Sequence, residues 1–128
     1  MTSPKHVDHG SVALTVPGTA EYLRLVRLAA ADCGARADLS IEEVEDLRIA
    51  VDELAYLLIG DDPAGEALTL RYVASPGVVE IEGSCAAHGE TVVMSELSRA
   101  IITAVVDEHD IVDDGETRRF RLLKRGVT

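Results

Sequence analysis

The sequence predicts an α+β fold, a two-layer sandwich in which a mainly antiparallel mixed sheet carries three helices on one face. Three observations support this. Ser40 and Glu43 form a capping box at the head of a long amphipathic stretch, Ser40–Gly60. Beyond Gly60 the apolar spacing changes from the helical period to strict alternation. Two alternating segments, Leu68–Val73 and Val78–Glu82, are then separated by Ser75-Pro76-Gly77, a tight-turn sequence.

Taken in order, Ser11–Val16 alternates and is β-branched, so it reads as a strand that Pro17-Gly18 breaks. A helix is expected from Ala20 to Cys33, with Tyr22, Leu25, Val26 and Ala29 inward and Glu21, Arg24 and Arg27 outward. Gly34–Leu39 connects it to the capped helix, whose inner face is Val44, Leu47, Val51, Leu54 and Leu58. Its other face carries Glu42, Glu45, Asp46, Asp52 and Glu53, read as a solvated charged surface. Gly60 with Asp61-Asp62-Pro63 ends the helix, because proline cannot continue it. After the hairpin, Gly83–Glu90 is expected to be a loop of small residues. Ser95 caps a third helix to about Val106, with Leu97, Ile101, Ala104 and Val105 inward. His109–Val112, the turn Asp113-Asp114-Gly115 and Thr117–Lys124 complete the order β-α-α-β-β-α-β-β.

Composition sets the broad class. The 128 residues predict a single domain over residues 11–128, behind a polar, flexible start at residues 1–10. Aromatics are 3% of the chain, so its core must be aliphatic. A formal charge of −11 opposes direct nucleic-acid binding, which needs a basic footprint, and suits a basic partner instead. No apolar run is long enough to span a membrane, and the first ten residues lack the apolar core of a secretory signal. Cys33 and Cys85 are too few for a disulfide framework, so they read as core residues of a cytoplasmic protein. His6 and His9 have no further ligands beside them, and no metal site is expected.

The element order, with Glu45–Ile59 reading EDLRIAVDELAYLLI, resembles the anti-sigma-factor serine kinases of the RsbW/SpoIIAB type. These are small members of the GHKL superfamily, whose ATP-binding (Bergerat) fold is shared with histidine kinases. Pro17 followed by Glu21-Tyr22-Leu23-Arg24-Leu25-Val26-Arg27 matches the motif near that family's first helix. Asp46-Leu47-Arg48-Ile49-Ala50-Val51-Asp52-Glu53 matches the motif of its second. The resemblance implies a bacterial, stress-response type of transcription regulator that sequesters a sigma factor, answers to an anti-anti-sigma protein and can dimerise. It points to Glu21, Arg24, Arg27, Glu45 and Asp46 as partner-binding residues.

The nucleotide motifs depart from the family pattern. Glu53 stands where the family has its catalytic glutamate, but the Mg²⁺-holding asparagine four residues on is Leu57, which cannot ligate a hard cation. Where the family has Asp-x-Gly-x-Gly, this chain aligns Glu82-Gly83-Ser84-Cys85. No glycine precedes the third helix, where backbone amides would cradle phosphate, and the lid between Gly83 and Ser95 is short. Glu53, Leu57, Glu82 and Gly83 are thus remnant positions, with Leu57 expected to fill the pocket and His88 expected to be a solvent-exposed loop residue. No catalytic residue, ATP or Mg²⁺ is expected. The alternative is an active kinase in which Glu53 activates a hydroxyl of the antagonist and ATP donates the phosphoryl group. A second alternative is a GHKL-like binding module for a partner outside sigma regulation. The basic last strand, Arg118, Arg119, Arg121, Lys124 and Arg125, reads as a protected sheet edge or a docking edge.

Overall fold

The computed structural model describes residues 10–61 and 66–127. The expected flexible start, His6, His9, Asp62 and Pro63 therefore lie outside the described residues. The elements are β1 (Ser11–Pro17), α1 (Leu23–Arg36), α2 (Ile41–Ile59), β2 (Ala67–Ser75), β3 (Val78–Ala86), α3 (Glu96–Val105), β4 (Glu108–Asp113) and β5 (Thr117–Arg125). The expected order of elements stands. The five strands form one sheet in the order β1-β2-β3-β5-β4, and every pairing is antiparallel, so the sheet is not mixed. No parallel pair arises because β1 and β2 run opposite ways across the first two helices, β2–β3 and β4–β5 are hairpins, and β3 and β4, which run the same way, are separated by β5.

One face of the sheet is covered and the other is open. Leu68, Leu70 and Tyr72 of β2, Val79 and Ile81 of β3, and Phe120 and Leu122 of β5 are buried on the helical side. They alternate with exposed residues, as one-sided burial requires. Against them α2 lays Leu47, Val51, Leu54 and Leu58, the face read from its spacing. Tyr72 reaches through this core to donate its hydroxyl to the Val26 carbonyl at 3.0 Å, and burial pushes its phenol pKa well up.

Ser40 caps α2 as expected: its Oγ accepts from Glu43 N at 3.1 Å, and Glu43 Oε1 accepts from Ser40 N at 2.8 Å. Gly60 ends the helix at φ 72°, a backbone region that side chains avoid. Pro76-Gly77 turns the hairpin, with Gly77 at φ 79°, as the residue after proline in a type II turn requires.

Four expectations of detail change. The first helix starts with a 3₁₀ turn, Ala20–Tyr22, and its buried residues are Leu23, Val26, Ala30, Cys33 and Gly34. Tyr22 and Leu25, expected inside, are exposed. Apolar residues occupy so many positions here that periodicity could not fix the phase. The expected loop at Gly83–Glu90 is strand as far as Ala86, since Gly83, Ser84, Cys85 and Ala86 pair with β5. On α3 only Ile102 is fully buried, while Leu97 and Ala104, expected inward, face solvent. Finally, β5 is an interior strand, so its basic residues neither guard nor offer an edge.

The strand segment that replaced the expected loop has a tight point. Gly83 lies opposite Phe120 on β5, and a Cβ at Gly83 would collide with the buried Phe120 ring. Gly83→Ala is expected to destabilise the fold by about 1–3 kcal/mol through overpacking, read as a lower urea midpoint at unchanged slope.

Candidate functional site

The C-terminal half of α2, the end of β3 and the segment leading to α3 enclose a cavity of about 440 Å³. It is lined by Tyr56, Leu57, Gly60 and Asp61 on the α2 side, by His88, Gly89, Glu90, Val92 and Val93 opposite, and by Arg118 from β5. This is where the resemblance places a nucleotide, and the remnant positions distribute unevenly about it.

Leu57 lines the cavity but does not plug it; the plug is Arg118, 3% exposed. Its guanidinium donates to the Leu58 carbonyl at 2.8 Å, to the Glu90 carbonyl at 2.7 Å and to the His88 carbonyl. Its Nε donates to Asp113 Oδ2 at 3.2 Å, and that side chain is only 5% exposed. One cation thus closes the C-terminal end of α2, where free carbonyls concentrate partial negative charge, onto the loop that the family would use as its lid. His88 is also held rather than loose: Nε2 lies 2.9 Å from the Ile59 carbonyl and Nδ1 3.2 Å from that of Ala86.

Glu82 is not in the cavity. Strand alternation aims it at the open face of the sheet, beside Arg71 and Arg121, while Gly83 faces the helices under Phe120. The inward residue at the end of β3 is Cys85, whose Sγ lies 3.5 Å from the Leu58 carbonyl. Had β3 been carried on to Ala86, period-2 counting from Val79 and Ile81 would have reached Cys85 as the inward position. Burial raises the thiol pKa of both Cys85 and Cys33, so these are inert core sulfurs.

Glu53 is half-buried and accepts a hydrogen bond from Ser98 Oγ at 3.2 Å, which ties α2 to α3. Ser95 caps α3 by accepting from Ser98 N at 3.0 Å. The other carboxylates of α2, read as a solvated face, are mostly spoken for. Asp52 pairs with Arg27 of α1 at 2.6 Å, Asp46 with Lys124 of β5 at 3.2 Å, and Glu45 with Arg48 at 2.8 Å. Of the expected partner-binding residues, Glu21 and Arg24 alone are exposed with no salt bridge among the described residues; both sit at the start of α1. The described residues contain no group of three or more His, Cys, Asp or Glu side chains placed to hold a metal. None of their helices is long and apolar enough to cross a membrane.

The anti-sigma-F factor RsbW of Mycobacterium tuberculosis, from strains CDC 1551 / Oshkosh and ATCC 25618 / H37Rv, is 35% identical over 109 residues, covering 82% of this chain. The chain spans 63% of the length of these curated relatives. A crystal structure of the RsbU and RsbW domains of Rv1364c from Mycobacterium tuberculosis superposes with a TM-score of 0.69 over 90% of this chain and 31% of that one. At 17% identity, that likeness shows the fold alone. No protein-family model matches the chain.

Removing the plug leaves buried groups unpaired. Arg118→Met is expected to cost on the order of 3–5 kcal/mol, measured by urea denaturation, because Asp113 and the Leu58 carbonyl lose their partner together. The Gly115 and Val92 amides, and then Arg118, hold the Asp113 carboxyl below its ordinary value of 3.8. A lowered folded-state pKa means that the unfolded chain binds more protons. This contribution is therefore present above the ordinary value and is lost as pH falls through the folded one. Urea midpoints should drop on acidification below about pH 4, and Asp113→Asn should flatten part of that slope while lowering the midpoint at neutral pH.

Proposed function

We propose that this chain, RsbW-like through its folded domain, is an anti-sigma-type regulator that acts by protein–protein binding without turning over ATP. One observation carries the reading: the polar groups at the back of the cavity, where the resemblance places a nucleotide, are engaged by the protein itself. Arg118 donates to three backbone carbonyls and to Asp113, and His88 Nε2 lies 2.9 Å from the Ile59 carbonyl. Leu57 stands where a hard-cation ligand is needed, and the remaining charges on the lining are the carboxylates Asp61 and Glu90. Such a lining presents no uncommitted basic side chain to a phosphate, and its two carboxylates fall short of the oxygen cage that Mg²⁺ takes. Glu53, turned to Ser98, serves the α2–α3 contact rather than a reaction.

Binding falls to the start of α1. Tyr22, Leu25 and Leu28 are exposed there, with Glu21 and Arg24 beside them in sequence. Arg27 already pairs with Asp52, so Arg24 is the arginine left to contact a sigma factor. An exposed apolar strip flanked by charges of both signs is suited to specific association, the charges setting rate and partner choice. A sigma factor held there would be kept from RNA polymerase. An anti-anti-sigma protein would release it by competing, and self-association through the same strip would compete as well.

Two measurements test this. Calorimetry with MgATP should show no binding at about millimolar nucleotide, in the range where weak sites become visible. Micromolar binding would return the kinase to first place. In parallel, tagged protein should capture a sigma factor from its native cell. Arg24→Glu should weaken that complex by about tenfold or more, and Glu45→Ala should leave it nearly unchanged. Capture of a sigma factor that ignores Arg24→Glu and Leu28→Asp alike would move the interface off α1.

A further inference from the structure

The cavity has apolar walls and an acidic rim. Leu57, Val92, Val93 and the Tyr56 ring form the walls, and the exposed Asp61 and Glu90 bring their carboxylates to the lining. Its one guanidinium, Arg118, is buried and bonded to Asp113 and three carbonyls, so the exposed charge facing an incoming group is that of Glu90 and of Asp61, one oxygen of which also accepts from the Tyr56 hydroxyl. The apolar character continues past the mouth. Val93 is 80% exposed, and Leu97, in the first turn of α3, is 72% exposed. A ten-residue helix that fully buries Ile102 alone has an unpartnered apolar side, and so short a helix owes its stability to docking.

We propose that this cleft is a second docking surface, which receives a basic, apolar-faced peptide segment of a protein partner. An arginine or lysine of that segment lays its aliphatic stem on Leu57 and Val93 and turns its charged head to Asp61 and Glu90. Apolar neighbours of the same segment cover Val93 and Leu97. Charge complementarity selects this occupant. A phosphate or nucleic acid would meet the acidic rim of a chain with a formal charge of −11. A second copy in a two-fold contact would bring the same carboxylates together. The proposal rests on the protein-binding reading above and adds to it a surface separated from the start of α1 by the central helix, α2.

The test is amide NMR on the full chain, titrated with a short capped peptide of leucine, alanine and arginine. Controls are the same peptide with glutamate for arginine, and MgATP. The arginine peptide is expected to shift the amides of Leu57, Gly89–Val93 and Leu97 to saturation and to leave α1 unmoved. Affinity should fall about tenfold in Glu90→Lys, fall similarly in Val93→Asp, and weaken with added salt. Arg24→Glu should change nothing, and the amide spectrum of each variant reports that it remains folded.

Absence of binding, equal binding of the glutamate peptide, shifts centred elsewhere, or indifference to Glu90→Lys would each overturn the proposal. Concentration-dependent shifts at these residues without peptide would assign the surface to a second copy and overturn it too. MgATP shifting the same amides would overturn both this proposal and the non-kinase reading. Sigma-factor capture through α1 alongside a failed peptide titration would remove this proposal alone.

Discussion

The buried Arg118 guanidinium is the interaction on which the rest of this structure turns. It rises from an interior strand and meets the carbonyl end of α2, two carbonyls of the segment before α3, and the Asp113 carboxylate. A buried charge is costly unless every donor finds an acceptor, and here the acceptors come from parts of the chain far apart in sequence. Satisfying Arg118 therefore fixes where the segment after β3 lies relative to α2. The same event helps set the size of the cavity and engages the one arginine among its described lining residues.

Around this point α2 works as the middle member of the helical layer, joined on both sides by polar pairs laid over an aliphatic core. Asp52 reaches Arg27 of α1, Glu53 reaches Ser98 of α3, and Asp46 reaches Lys124, which also donates to the Val105 carbonyl at the end of α3. These pairs are partly exposed, so each adds little stability. Their value is directional, since they hold three helices in register on one sheet face. Carboxylates that look like a solvated stripe are in fact a seam. Charge and apolar surface remain exposed together at the start of α1 and at the mouth of the cleft.

Under the proposed reading, the fold keeps the frame of a nucleotide-binding domain and uses it as a rigid support for two protein-binding surfaces. Phosphoryl transfer needs a dense set of donors and a metal around the phosphates. Protein recognition needs exposed apolar area with a few well-placed charges. The substitution of Leu57 and the burial of Arg118 move this chain from the first set of requirements to the second.

Local chemistry determined much of this protein. The Ser40–Glu43 capping box, the inner face of α2, the Pro76-Gly77 turn and the order of the elements follow from short-range rules of capping, period and turn geometry. The departure from the family's asparagine pattern was legible too, in the single side chain Leu57. Tertiary structure decided the rest. The phase of α1 was open because apolar residues crowd nearly all round it, while α3 has a distinct apolar side of which docking fully buries Ile102 and leaves Leu97 exposed. The role of Arg118 was hidden among the basic residues of β5. Whether that strand lay at an edge or in the interior, and which of its arginines turned inward, depended on pairings with β3 and β4. Contacts between residues so distant in the chain leave no periodic mark in sequence, so a buried plug and a surface charge are written there with the same letter.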